Sequence, residues 1–215
     1  MISLPLVYTV LALITYTTSF WYLFIRLMSQ RSPNLLNYAL MVGLGLVLHG
    51  TVLYQDMMTP FGVNYDVFNL LSFTFGLMLA LSLILSLIRP ILPLNLIGIP
   101  VAAFGLILGF AFSQPTQVVN NHNFWLDLHI ILSLSAYAIL LMATIHALLL
   151  WFQDRELKKK QKRRIWVNLL PPFQVMESLL FDLIITGFGL LTAALMFGFF
   201  TIDNFFAQHL AHKTA

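Results

Sequence analysis

Cysteine is missing from this 215-residue chain, and charge is scarce. Without thiols there is no disulfide framework, no Cys-rich zinc site, no thiol nucleophile, no CxxC redox relay and no CxxCH motif for covalent haem attachment. No GxxxxGK phosphate loop occurs, which excludes a self-contained ATPase. HExxH, Ser/His/Asp and paired-carboxylate signatures are equally absent, so hydrolytic chemistry has no support. Asp, Glu, Lys and Arg together make up 9% of the residues, against about 25% in soluble domains, too few to coat a water-facing surface. Hydrophobic residues make up 60%. The composition is that of a membrane protein.

A helix that crosses about 30 Å of hydrocarbon needs about 20 largely apolar residues. Six stretches qualify, near Pro5 to Ile25, Leu36 to Met57, Val67 to Ile88, Leu92 to Phe112, Leu126 to Phe152 and Leu179 to Ile202. The first has no basic residue ahead of it and no small-residue cleavage site before Arg26, so it reads as a retained span rather than a secretory signal. The expected fold class is therefore all-α, a polytopic transmembrane helix bundle of one domain over residues 1–215.

Lys and Arg stay in cytoplasmic loops because moving them across the bilayer is costly. Arg26 and Arg31 follow the first span, Arg89 the third, and Arg155, Lys158, Lys159, Lys160, Lys162, Arg163 and Arg164 the fifth. Only Lys213 falls on the other side. Both termini are thus expected outside. The net charge of +3 belongs mainly to one loop, "DRELKKKQKRR", which argues against a nucleic-acid partner and reads as a topology anchor, the alternative being a lipid-headgroup site. Pro171 and Pro172 end any helical extension of that loop. Gly105 and Gly109, four apart in the fourth span, suit close helix packing.

What chemistry the chain has lies in its histidines, since an ionisable side chain within a bilayer is expensive and points to function. His49 sits in the second span, about 12 Å below its outer end at 1.5 Å per residue. His129 sits at the outer end of the fifth. His122, His209 and His212 fall in outer segments, and His146 lies deep in the fifth span. Imidazole is a common neutral metal ligand and an axial ligand of haem iron, and helix bundles build such sites from facing side chains. His49 and His129 are the first candidate pair, in a slot lined by spans two, five and six, with His209 and His212 as weaker outer ligands. The structural alternative for His49 is a hydrogen bond to Ser, Thr or Tyr of a neighbouring helix. For His129 it is an interfacial role beside Trp125. His146 reads as structural. Asp182 and Glu177 lie near the inner start of the last span; Asp182 as a proton or cation site would suit a cation or small-solute transporter, but no facing charge is evident.

The stretch "LDLHIILSLSAYAILLMATIHALLLWFQDRELKKK", residues 126–160, resembles the cytochrome c assembly family of haem-handling membrane proteins, and most of all its YpjD/HemX branch. "LLPPFQVMESLLFDLIITGFGLLTAALMFG", residues 169–198, and "LVLHG", ending at Gly50, are similar to further segments of that branch. The resemblance implies a helical bundle of the bacterial inner membrane that binds or relays haem b in cytochrome c assembly, in company with other maturation proteins and without catalysis of its own. It implies His49 and His129 as haem-associated residues. The W-G-x-x-W-x-W-D core of the synthetase members is not in this sequence, and members of the branch usually continue with further helices past the "HKT" segment. A non-catalytic assembly scaffold with purely structural histidines is the remaining alternative.

Overall fold

The computed structural model describes residues 4–60, 62–114, 118–119, 124–158 and 169–200. Six long helices follow one another: α1 (Leu4–Met28), α2 (Leu35–Met57), α3 (Val67–Ile88), α4 (Asn95–Phe112), α5 (Phe124–Leu157) and α6 (Phe173–Phe200). All six are long and apolar enough to cross a membrane, with the fourth span extended backwards by a 3₁₀ turn over Leu92–Leu94. A helix satisfies its own backbone polar groups, which is what a chain in hydrocarbon requires. Short polar side chains follow the same rule. Thr9, Thr17, Thr74, Ser135, Thr144 and Thr192 each donate to the carbonyl four residues earlier.

The ends of the helices are fixed by side chains the hydropathy does not report. Asn34 caps α2 by accepting from the Asn37 N–H at 3.2 Å, and Asp66 caps α3 by accepting from the Phe68 N–H at 3.0 Å. Helix α5 runs five residues beyond Phe152, because Gln153, Arg155, Glu156 and Leu157 are good helix formers and Lys158 pairs with Asp154 at 2.6 Å across one turn. Arg155 sits 4.5 Å from the centre of the Trp151 ring. Helix α6 begins at Phe173, directly after Pro171 and Pro172 and six residues earlier than hydropathy indicates, since Gln174 and Glu177 mask its first turns. Lys159 to Arg164, most of the basic loop, and Ile202 lie outside the described residues.

Three short strands that the sequence does not announce join the outer connections. Strand β1 (Met58–Thr59) pairs antiparallel with β2 (Gly62–Asn64), and β2 pairs antiparallel with β3 (Val118–Val119). Gly62 turns this hairpin at φ 133°, a conformation open to glycine. The loop after α2 is thereby tied to the loop after α4. "Outer" here means the side that the distribution of Lys and Arg assigns to the exterior.

Helix α3 is the shared wall of two cores. The first is built from Ala12, Tyr16, Val42, Leu79, Ile99 and Leu106, with neighbours from α1, α2, α3 and α4. The second gathers Met78, Leu94, Ala138, Met142, Met176 and Leu179 from α3, the 3₁₀ segment, α5 and α6. Helices α5 and α6 pair with each other and lean on α3. Gly105 and Gly109 act as packing glycines. A Cβ at 105 would stand 2.7 Å from the Phe75 ring, and one at 109 would stand 3.0 Å from the Ser72 Cβ. Large apolar side chains such as Leu40, Ile88, Ile185 and Phe199 are exposed on the outward faces, as hydrocarbon surroundings favour.

Overpacking a filled contact costs about 1–3 kcal/mol. Gly105→Leu is therefore expected to lower stability by an amount of that order, measured by unfolding in mixed detergent. Gly189→Leu, where no atom lies within 4 Å of the added Cβ, is expected to change it little.

Candidate functional site

His49 is 1% exposed and has both ring nitrogens engaged. The Tyr16 hydroxyl of α1 lies 3.1 Å from Nδ1, and the Ser72 hydroxyl of α3 lies 2.9 Å from Nε2. One nitrogen of a neutral imidazole donates and the other accepts, while a hydroxyl can do either. The three side chains therefore form a closed chain across three helices. Two glycines make room for it. A Cβ at Gly76 would stand 3.1 Å from the His49 ring, and one at Gly45 would stand 2.6 Å from the Tyr16 ring. The Tyr16 and His49 rings meet edge to face, with centroids 6.1 Å apart. A groove of about 190 Å³ between α2 and α3 passes along His49, smaller than the roughly 300–1,000 Å³ of pockets that enclose drug-sized ligands. It does not enclose a macrocycle.

His129 is held differently. Its Nδ1 donates to the backbone carbonyl of Ala194 on α6 at 2.7 Å, and the ring reaches that carbonyl because residue 198 is glycine; a Cβ there would stand 2.7 Å from Nδ1. A carbonyl can only accept, so in the neutral ring the hydrogen sits on Nδ1 and the lone pair on Nε2. The side chain is half-buried. Trp125, four residues earlier and so on the same helix face, stacks on Phe197 with centroids 5.9 Å apart, and Phe124 packs on Trp125 at 5.5 Å. The imidazole thus sits at an aromatic outer tip of the α5–α6 pair. Nearby, the Tyr65 hydroxyl donates to Asp127 at 3.2 Å, tying the start of α3 to the start of α5. Burial, and after it the Asp127 charge and hydrogen bond, push the Tyr65 phenol above its usual pKa.

The contacts of His49 and His129 lie on different helices: His49 with α1 and α3, His129 with α6. No hydrogen bond, ring contact or described groove joins them, and no group of three His, Asp or Glu gathers as a metal site among the described residues. His209, His212 and His122 lie outside the described residues. His146, 2% exposed, donates from Nδ1 to the Met142 carbonyl at 2.8 Å, and its Nε2 has no partner.

One interaction escaped sequence reading. Asp182 of α6 receives Arg89, the residue after α3, at 2.6 Å. The two border an apolar cavity of about 230 Å³ between α3, α5 and α6. With side chains 37% and 52% exposed, this is a neutralised pair at the inner side rather than a buried relay charge.

These features define a multi-pass helical membrane protein with two separately held imidazoles towards its outer side and no assembled hydrolytic site among the described residues. A family model described as Cytochrome C assembly protein matches residues 4–215, and the chain belongs to that family, whose role is cytochrome c biogenesis. Neither a curated protein nor a solved structure matches it.

Polar contacts between membrane helices average about 0.6 kcal/mol, with a maximum near 1.7. Ser72→Ala and Tyr16→Phe are each expected to lower stability within that range. Combined with His49→Phe they should show coupling, read as a non-zero interaction energy in double-mutant cycles; strict additivity would contradict the hydrogen-bonded chain.

Proposed function

We propose that the protein holds haem b at the outer tip of the α5–α6 pair for cytochrome c biogenesis, with His129 Nε2 as the iron ligand. The observation that carries this reading is the Nδ1 donation of His129 to the Ala194 carbonyl. Metal-bound histidines commonly donate their second nitrogen in this way, which fixes the tautomer and raises ligand basicity. Haem, when bound, supplies an iron centre open to axial ligation. The chain supplies orientation: Ala194 sets the ring, Gly198 gives it space, and Trp125 and Phe197 offer aromatic surface beside it.

His49 suits ligation less, because binding iron would cost it its hydrogen bond to Tyr16 or to Ser72. On this reading its work is structural. His209 and His212 are further outer candidates for a second ligand. The protein receives and hands on haem without making or breaking bonds in it, in the bacterial inner membrane and alongside other maturation proteins, as expected of the YpjD/HemX branch. A scaffold role is the competing reading. The Arg89–Asp182 pair does not favour transport, since each charge already neutralises the other.

Protein purified from haem-replete cells is expected to show a Soret band. His129→Ala should remove most of it, His129→Gly with added imidazole should restore part of it, and His49→Phe in a folded variant should keep it. Colourless wild-type protein that still captures maturation partners would favour the scaffold reading.

A further inference from the structure

Asn69 stands in the first turn of α3 with no exposed surface, and neither its amide oxygen nor its amide nitrogen has a hydrogen-bond partner. A side-chain amide carries two donors and an acceptor. Burying all of them dry is costly, and polar groups that the protein leaves unpaired are where internal water sits.

The neighbourhood of Asn69 is polar in one direction. Ser72 is one turn deeper on the same helix and bonds His49 Nε2, which with Tyr16 completes the chain described above. Asn69 and Gly76 are seven residues apart and share a face of α3, the face against which the His49 ring packs. At 1.5 Å per residue Asn69 is about 4.5 Å nearer the outer side than Ser72. With His49 opposite Ser72, the antiparallel run of α2 and α3 sets Asn69 level with the next outer turn of α2, which carries Val52 and Leu53. Asp56 follows, seven residues from His49 and hence on His49's face of α2, partly exposed at the outer end of the seam. Asp66, the cap of α3, is a second carboxylate towards that end, and Asp127 of α5 receives the neighbouring Tyr65 hydroxyl. Towards Ser72, α4 presents Gly109, which carries no titratable group.

We propose that Asn69 seats internal water, and that this water connects the outer aqueous phase, past Asp56, to the Ser72–His49–Tyr16 chain. The buried imidazole then exchanges its ring proton with the outside. This is a water site and a proton-access route independent of haem. It gives the second-span histidine a role that its saturated nitrogens deny it as a ligand.

The full chain in phospholipid nanodiscs, labelled with nitrogen-15 in histidine, asparagine and leucine, tests this by NMR. A transfer peak from water to the Asn69 side-chain amide is expected, as is loss of the His49 ring N–H signal in heavy water while the Leu79 backbone amide persists. Asn69→Leu, similar in size and apolar, is expected to slow His49 ring exchange by about tenfold or more by removing the bridging hydrogen bonds. Asn69→Ser should keep it fast. Absence of the water peak in the wild type, or a His49 ring proton as persistent as that Leu79 amide, overturns the proposal. So does a folded Asn69→Leu variant that exchanges like wild type. The wild-type measurements decide the matter even if Asn69→Leu does not fold.

Discussion

A polar atom carried into hydrocarbon has to find its partner within the protein, since no solvent is there to supply one. The architecture follows from this constraint. The backbone meets it by forming six helices among the described residues, and Thr9, Thr17, Thr74, Ser135, Thr144 and Thr192 meet it by donating back to their own helix. Side chains that cannot do so bind helices to one another. His49 ties α2 to α1 and α3. The Asn95 amide, at the start of α4, accepts from Ser82 at 2.6 Å and donates to Ser86 at 3.3 Å on α3. His129 ties α5 to α6 through a carbonyl. In each case a polar group also specifies which helices are neighbours.

The same constraint separates the histidines by what they have left to offer. Spent on both sides, His49 is a cross-brace. His129 spends one nitrogen on backbone and keeps the other, beside aromatic rings at the outer surface. His146 has the same pattern at the Met142 carbonyl, yet its free nitrogen is buried. Three imidazoles of one type thus acquire three characters from their neighbours alone.

The spans were legible because hydropathy over 20 residues is a sum to which every side chain contributes, and the six maxima of that sum fall where the helices are. Ends were less legible: Gln153 to Leu157 and Phe173 to Ser178 are helical through local propensity, which hydropathy does not weigh. The third strand depends on pairing between loops more than 50 residues apart, and nothing in Val118–Val119 names Gly62–Asn64 as its partner. For His49 the sequence suggested a Ser, Thr or Tyr neighbour as the structural alternative, and Tyr16 and Ser72 are of those types. Their identity needed the register of α1, α2 and α3. Arg89 and Asp182, 93 residues apart, met for the same reason. His129 binds a backbone carbonyl, which has no letter in a sequence, though a glycine at 198 was a legible sign that something packs closely there.

Because α3 closes both cores, the order of synthesis divides assembly into two stages. Once Phe112 has left the ribosome, every side chain named for the first core is in the membrane, and the bundle of four can consolidate with one flank of α3 still facing lipid. The α5–α6 hairpin arrives later to cover that flank, and the imidazole at its tip becomes anchored only when Ala194 emerges. A nascent chain paused between these points would hold a finished brace at His49 and an unanchored ring at His129.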